Sequence, residues 1–144
     1  MKTQRGVPVL LAAALAALLL GCASSEERAA RSGDIEALRE YVADGGDVNA
    51  TQRGGKTLLI VAAEAGQSDS VAFLLERGAR VGARDDAGRT ALMYAAGRGS
   101  VPIVQELLSA GAAVDGQDNA GTTPLLYAAA GGHVQVLELL LSRG

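Results

Sequence analysis

Apolar, small and polar positions repeat along the chain with a period of 33 residues. The clearest series is the set of glycines Gly33, Gly66, Gly99 and Gly132. A period of this length indicates stacked supersecondary units, because one such unit cannot bury its apolar face alone. The pattern therefore predicts about four units. The other positions in register are Gly45, Gly78, Gly111 and Gly144, then Gly55, Gly88 and Gly121, then Thr57, Thr90 and Thr123, and the alanine pairs 29/30, 62/63, 95/96 and 128/129.

Each unit is predicted to contain two helices, one on either side of the repeated glycine. In the second unit, Thr57 starts the first helix, because threonine is a favoured N-cap. Ser68 or Asp69 is expected to cap the second helix, and Gly78 to end it in a left-handed conformation. Pro102 falls in a first helical turn, where no backbone hydrogen bond is lost. The valines that follow the second helices, Val48, Val81 and Val114, are expected to be buried.

The first and last units differ in the polarity of their outer surfaces. The first unit is rich in charged residues, as suits a capping unit whose outer face meets water. The last helix, from Val134 to Leu141, is apolar nearly all round, although a terminal unit normally has a polar outer face. Three explanations remain open: the sequence is a fragment of a longer protein, the apolar face associates with a second copy, or a partner covers it.

The fourth unit carries a family motif. Its segments Thr123-Pro124-Leu125, Ala128-Ala129 and Gly132-His133 resemble the ankyrin repeat. The resemblance covers roughly residues 26–144 and implies an all-α solenoid of helix–turn–helix units joined by β-turn or hairpin loops. It implies repeats at about 26–50, 51–83, 84–116 and 117–144 within a domain spanning 28–144. The chain departs from the family in replacing the motif Pro by Leu58 and Ala91, and the motif His by Ile60, Met93 and Leu126.

The resemblance also implies a concave surface that binds other proteins, formed by the turn tips and the first helices. Tyrosine and arginine are the residue types enriched at such interfaces. An alternative for Tyr94 and Tyr127 is that they only pack between repeats, with their hydroxyls in water. Carried over position by position, the binding residues are Arg53, Lys56, Glu64, Asp86, Arg89, Tyr94, Arg98, Asn119, Thr122 and Tyr127, with Val61 at the position equivalent to the two tyrosines.

The amino-terminal segment has the form of an export signal. Lys2 and Arg5 precede Val7 to Leu20, a run without polar side chains. A basic segment before a short apolar run is typical of a secretory signal peptide. A membrane-spanning helix needs roughly 20 apolar residues, so this run is short for one. Residues 1–21 are therefore predicted to be a removed signal; an uncleaved anchor on a cytoplasmic protein is an alternative.

Leu19-Leu20-Gly21-Cys22 resembles the bacterial lipobox. The resemblance implies cleavage between Gly21 and Cys22 and acylation of Cys22, including palmitate, at an outer membrane facing the periplasm. Cys22 is the only cysteine, so it has no intramolecular disulfide partner. Ordinary cleavage near this site, giving a soluble periplasmic protein, is the alternative. Residues 22–27 would then form a short tether, whose five residues Ala23 to Glu27 reach roughly 17 Å if extended.

Composition argues against several classes of function. The chain has a formal net charge of −3 and no cluster of lysine or arginine, which disfavours nucleic-acid binding. His133 is the single histidine, so no metal site, cofactor or catalytic residue is expected. Asp85, Asp86 and Asp118 fall on turns, where aspartates bond to nearby backbone groups. A hydrolase that uses these aspartates is the less favoured alternative.

These observations predict a protein–protein interaction module, without enzymatic activity, anchored to the bacterial envelope by Cys22. It would bind or regulate a periplasmic or envelope protein of unknown identity through the concave surface. A self-associating scaffold, joined through the apolar last helix, or a fragment of a larger ankyrin protein, remains the alternative.

Overall fold

The computed structural model describes residues 23–144. In this part of the chain there are eight α-helices and a short 3₁₀ turn at Arg53–Gly55, without a β-strand. The predicted signal (residues 1–21) and the acylation site Cys22 lie outside the described residues. The helices are α1 (Ser25–Ser32), α2 (Ile35–Ala43), α3 (Leu58–Ala65), α4 (Ser68–Glu76), α5 (Ala91–Arg98), α6 (Val101–Ser109), α7 (Pro124–Gly131) and α8 (Val134–Arg143).

The eight helices form four pairs that stack into two layers. Within each pair, the two helices pack against each other. The odd-numbered helices contact one another in sequence, from α1 to α7, and the even-numbered helices do the same from α2 to α8. This arrangement confirms the predicted all-α solenoid of helix–turn–helix units.

The recurrent threonines and glycines mark the two ends of the odd-numbered helices. The hydroxyls of Thr57, Thr90 and Thr123 accept hydrogen bonds from the backbone N–H three residues later. At the other end, Gly66 and its equivalents adopt a left-handed conformation (φ of 76° at Gly66), which glycine reaches without strain. Their N–H groups donate to the carbonyls of the alanine pair, so the alanine and glycine series belong to one motif.

The second helices begin differently from our expectation. The N-cap of α4 is Gln67, and no side chain caps this helix. The expectation that Ser68 or Asp69 caps it was wrong, because Ser68 and Asp69 already lie in the first turn of α4. The side chain of Gln67 donates to the Arg31 carbonyl of the preceding repeat instead. Gly78 follows α4 with a φ of 89°, and Pro102 lies in the first turn of α6, as predicted.

The core is made of small and branched apolar side chains between neighbouring pairs. All residues from Leu58 to Ala63 in α3 are buried, since this helix is covered on both sides by α1 and α5. The last pair is covered on one side only within the described chain. Met93 is completely buried, whereas its equivalent Leu126 is 53% exposed. Of the three predicted buried valines, Val48 is buried and Val81 and Val114 are partly buried.

Polar contacts also join neighbouring repeats. At the turn tips, the Asp86 N–H donates to the Gly54 carbonyl at 2.9 Å, and the Asn119 N–H to the Ala87 carbonyl at 3.0 Å. Three side chains reach back to a carbonyl of the preceding repeat, which ties the repeats together without the family's motif histidine. These contacts are Gln67 to Arg31 at 3.2 Å, Arg98 to Glu64 at 3.1 Å and His133 to Gly97 at 2.8 Å.

Helix α1 begins closer to the amino end than expected. The Ser24 hydroxyl accepts a hydrogen bond from the Glu27 N–H at 3.2 Å and so caps the helix. Ser25 to Glu27 are therefore helical, and the expectation of an extended tether over these residues was wrong. Among residues 23–144, every helix falls short of the length and hydropathy required to cross a membrane.

Candidate protein-binding surface

Two turns of the stack are held by the same aspartate–tyrosine arrangement. One oxygen of Asp85, Oδ1, accepts the backbone N–H groups of Ala87 and Arg89, each at 2.9 Å. The other oxygen, Oδ2, accepts the hydroxyl of Tyr94 at 2.6 Å. One carboxylate therefore joins the turn to helix α5.

The next repeat has the same geometry. Asp118 Oδ1 accepts the N–H groups of Ala120 and Thr122 at 2.9 Å, and Oδ2 accepts the Tyr127 hydroxyl at 2.6 Å. This confirms the predicted turn role of Asp85 and Asp118. Of the alternative that both tyrosines only pack between repeats, the detail of hydroxyls in water was wrong, because both hydroxyls donate to carboxylates; the two rings do pack against the core.

These contacts shift the ionisation of the groups involved. Burial first, and then the hydrogen bond and charge of Asp85, raise the pKa of Tyr94 above its ordinary value. The hydrogen bond from Tyr127, followed by the Thr122 N–H, lowers the pKa of Asp118. A general acid needs a raised carboxyl pKa, so the lowered pKa argues against Asp118 in that one role.

The second repeat lacks the aspartate–tyrosine pair. Gln52 stands where the later repeats have Asp85 and Asp118, and its Oε1 accepts the Ser24 hydroxyl at 2.9 Å. Val61 stands where they have tyrosine, and it is completely buried. The expectation that Val61 lines the concave surface was wrong, since an apolar side chain at this position packs into the core instead of reaching a turn.

Cations and aromatic rings alternate along one side of the second, third and fourth repeats. Lys56 Nζ lies 5.0 Å from the centre of the Tyr94 ring, and Arg89 Cζ lies 5.7 Å from the same centre. Both distances fall within the range of cation–π attraction. Burial and then Asp118 raise the pKa of Tyr127, while the charge of Arg89 lowers it. We call Lys56, Tyr94, Arg89 and Tyr127 the cation–aromatic row; all four residues are half-buried.

Glu64 balances one of these cations. Its Oε1 accepts a hydrogen bond from Lys56 Nζ at 2.7 Å, and its Oε2 lies 3.8 Å from Arg31 Nη2. Glu64 therefore sits between two positive groups, at the end of the row nearest the first repeat. The structure thus brings five of the predicted binding residues into one neighbourhood: Lys56, Glu64, Arg89, Tyr94 and Tyr127.

The other predicted binding residues have structural contacts of their own. Arg53 is exposed in the 3₁₀ turn, and Asp86 and Asn119 are exposed at the following tips. The Asn119 side chain donates to the Asp86 carbonyl at 3.1 Å, so these two residues also join the repeats. Thr122 is half-buried beside Asp118, and Arg98 is occupied with the Glu64 carbonyl.

Sequence reasoning placed the aspartates and the tyrosines separately and missed their pairing. The available signal was their common separation of nine residues in two consecutive repeats. The last helix was predicted to be apolar, but its exposed residues were not identified from the sequence. In α8, Val134 and Leu141 are 62% and 65% exposed, and in α7 Leu126 is 53% exposed; we call these three residues the terminal face.

Among the described residues, the turn aspartates Asp85, Asp86 and Asp118 belong neither to a group that could hold a metal ion nor to a hollow on the first repeat. Within residues 23–144, no group of three histidine, cysteine or acidic side chains is arranged to hold a metal ion. An open hollow of about 390 Å³ lies on the first repeat, where Glu26, Glu40, Tyr41 and Asp44 line it. Asp85, Asp86 and Asp118 do not line this hollow.

Comparison with known proteins gives matches over most of the repeats. A family model described as ankyrin repeats (3 copies) matches residues 78–144, and a model of the single ankyrin repeat matches residues 54–86. Myotrophin of Xenopus tropicalis is 41% identical over 46 residues, which is 32% of this chain and 39% of that protein. Myotrophin of Xenopus laevis is 46% identical over 41 residues, which is 28% of this chain and 35% of that protein. The chain thus spans less than half the length of these relatives.

The Tyr94 hydroxyl should stabilise the fold in a pH-dependent way. Tyr94→Phe is expected to lower the free energy of unfolding by about 1 kcal/mol at neutral pH, because a hydrogen bond to a charged group is lost. Since the folded-state pKa is raised, this stabilisation is complete below the ordinary tyrosine pKa and is lost as the pH rises through the folded value. The difference between wild type and variant should therefore shrink in strong alkali, as measured by urea unfolding.

Tyr41→Phe is the matched control, since its hydroxyl donates to the neutral Asp47 carbonyl at 3.0 Å. Its loss at neutral pH should be smaller. A Tyr94→Phe effect that is absent at neutral pH, or constant into alkali, would contradict the structural role of the Asp85–Tyr94 bond.

Proposed function

The chain belongs to the ankyrin repeat family, and we propose that it captures an envelope protein through its cation–aromatic row. Ankyrin repeats generally bind other proteins and are generally not enzymes. The observation that carries the proposal is the row itself: two tyrosine rings and two cations are presented side by side on consecutive repeats. Tyrosine and arginine side chains are those that most often dominate binding energy at protein interfaces.

The tyrosines of the row suit rapid and specific binding. Their hydroxyls are bonded to Asp85 and Asp118, so the rings are already oriented before a partner arrives. Side chains that are ordered in advance cost less conformational entropy when an interface forms. The row can therefore contribute its contact area with little rearrangement.

The location belongs to the same proposal and rests on the sequence. The basic and apolar leader and the Leu19-to-Cys22 motif support a lipoprotein whose acylated Cys22 holds the repeats at the outer membrane, on its periplasmic side. More than one acyl chain is needed for stable anchoring, and a lipobox cysteine carries several. Since α1 begins at Ser25, the first repeat would then lie against the membrane surface.

Affinity capture from bacterial envelope extract tests the binding surface. The double variant Lys56→Ala, Tyr127→Ala is expected to lose most of a partner that the wild-type chain retains, because it removes both ends of the row. The matched control is Tyr41→Ala, Arg143→Ala, which removes one ring and one cation outside the row. Partner recovery is quantified by mass spectrometry after circular dichroism confirms folding. Equal recovery by both double variants would remove the row from the binding surface.

Acylation of Cys22 is tested by metabolic labelling with a fatty-acid analogue. The wild-type chain should incorporate label and partition with membranes, whereas Cys22→Ser should do neither, because no other cysteine is present to accept the acyl chain. The mass of the mature amino end supplies an independent readout. An unlabelled protein that begins at Met1, or after a cleavage elsewhere, would show that the lipoprotein assignment is wrong.

Self-association is a second candidate, favoured by the terminal face. Met93 is buried under the next repeat, and its equivalent Leu126 is 53% exposed at the terminal face. The first repeat presents exposed charged residues, including Glu36, Arg39 and Glu40, which do not complement leucine and valine. Two copies would therefore meet terminal face to terminal face, in an isologous contact.

Sedimentation over a range of concentrations tests this contact. The wild-type chain should show a concentration-dependent dimer, and Leu126→Glu, Leu141→Glu should abolish it by placing charge in an apolar interface. The control Glu36→Ala, on the first repeat, should leave the dimer unchanged. A monomer at every concentration would exclude self-association through this face.

A further inference from the structure

The guanidinium of Arg89 in the cation–aromatic row has no carboxylate ligand among the described residues. Lys56 is paired with Glu64 at 2.7 Å, and Arg31 with Glu27 at 3.3 Å. Among residues 23–144, Arg89 has no carboxylate oxygen within 4.0 Å and is instead positioned against the Tyr94 ring. Asp85 and Asp118 act on its charge at longer range, but in this part of the protein its N–H groups have no carboxylate ligand and can bind one from a partner.

The two aspartates nearest the row are already occupied. Asp85 and Asp118 each accept two backbone N–H groups on one oxygen and a tyrosine hydroxyl on the other. A carboxylate that is bonded in this way is a poor further partner for a guanidinium. The turns thus keep their own acidic groups engaged with the backbone and leave the Arg89 guanidinium without a carboxylate ligand.

From these contacts we propose that the row binds an acidic protein segment, with a partner carboxylate seated on Arg89 between Tyr94 and Tyr127. A guanidinium that lies against a ring still directs its edge N–H groups outward, and that planar fork matches a carboxylate with two parallel hydrogen bonds. Lys56 occupies the equivalent position one repeat away, so a segment that runs along the row meets cations on consecutive repeats. This inference rests on the proposed function and specifies the chemistry of the partner.

Other kinds of partner suit the row less well. The tyrosine hydroxyls are bonded to Asp85 and Asp118, and the Tyr94 ring is in contact with two cations, so an apolar segment would bury charge without compensation. A nucleic acid would meet a chain with a formal net charge of −3 and a pI of about 5.1. That overall charge also opposes an acidic peptide at long range. Asp85 and Asp118 oppose it at short range as well, so the proposed binding depends on the direct two-bond contact between the Arg89 guanidinium and a carboxylate, which a phosphate backbone does not supply in the same peptide geometry.

Synthetic peptides test the inference on the full-length chain. One peptide alternates glutamate and serine over about twelve residues, enough to pass two repeats at roughly 3.3 Å per residue. A second has glutamine in place of each glutamate, and a third has lysine. A single-stranded DNA oligonucleotide serves as a non-protein polyanion. Binding of each fluorescent probe is measured by anisotropy at low and at physiological salt.

The glutamate peptide should bind at least about tenfold more tightly than the glutamine and lysine peptides, since a charge-assisted bidentate contact is worth roughly that factor. Arg89→Gln should weaken its binding about tenfold, and Arg89→Lys by less, because the charge is kept and the fork is lost. Arg143→Gln, the same change on the exposed end of α8, should leave binding within about twofold of wild type, as expected for a site outside the row.

Three results would overturn the inference. The glutamine peptide could bind as tightly as the glutamate peptide, Arg89→Gln could leave binding unchanged, or the oligonucleotide could bind as tightly as the acidic peptide. Failure of every peptide to bind would also count against it. In each case the proposed function is retained if Lys56→Ala, Tyr127→Ala still reduces capture of the envelope partner. If this double variant captures the partner as well as wild type does, the proposed function is wrong as well.

Discussion

Burial between neighbouring helix pairs is the interaction on which this structure depends. The alanines at 62/63 and 95/96 are completely buried, and their small side chains let the odd-numbered helices of consecutive repeats approach closely. A single pair has no such cover. The core is therefore built one interface at a time, and each repeat is stabilised by its neighbours more than by its own contacts.

The polar groups of the turns connect this stacking to the exposed surface. Asp85 and Asp118 order the backbone of their turns and, through Tyr94 and Tyr127, fasten each turn to a helix that is itself packed in the core. The side chains of the cation–aromatic row thus stand on rigid supports. A surface of this kind recognises a partner through shape and charge that exist beforehand, which favours specificity over adaptability.

The sequence predicted the fold well because the fold is periodic. Thr57 caps its helix and Gly66 ends it in a left-handed conformation, and both effects are local. Because these residues recur at a fixed period, the stack can be predicted without knowledge of long-range contacts. The details that escaped prediction depend on the path of the backbone between elements. The Asp85–Tyr94 bond forms only because the turn folds back over α5. Val61 is buried because its apolar side chain, unlike tyrosine, cannot hydrogen-bond to the turn and packs into the core. Asp34 caps α2, whereas the equivalent Gln67 is engaged with the Arg31 carbonyl of the preceding repeat and leaves α4 without a side-chain cap.

The nearest-neighbour character of the contacts also bears on how the chain unfolds. Each helix touches mainly its own partner and its counterparts in the adjacent repeats, so most contacts are limited to one repeat period in sequence. Low contact order of this kind is associated with rapid folding. Opening should begin at the two end pairs, α1 with α2 and α7 with α8, which have a neighbouring repeat on one side only among the described residues, and progress inward. A ligand that covers Leu126, Val134 and Leu141 would therefore oppose unfolding from this end of the stack. It would also raise the stability of repeats with which it has no contact.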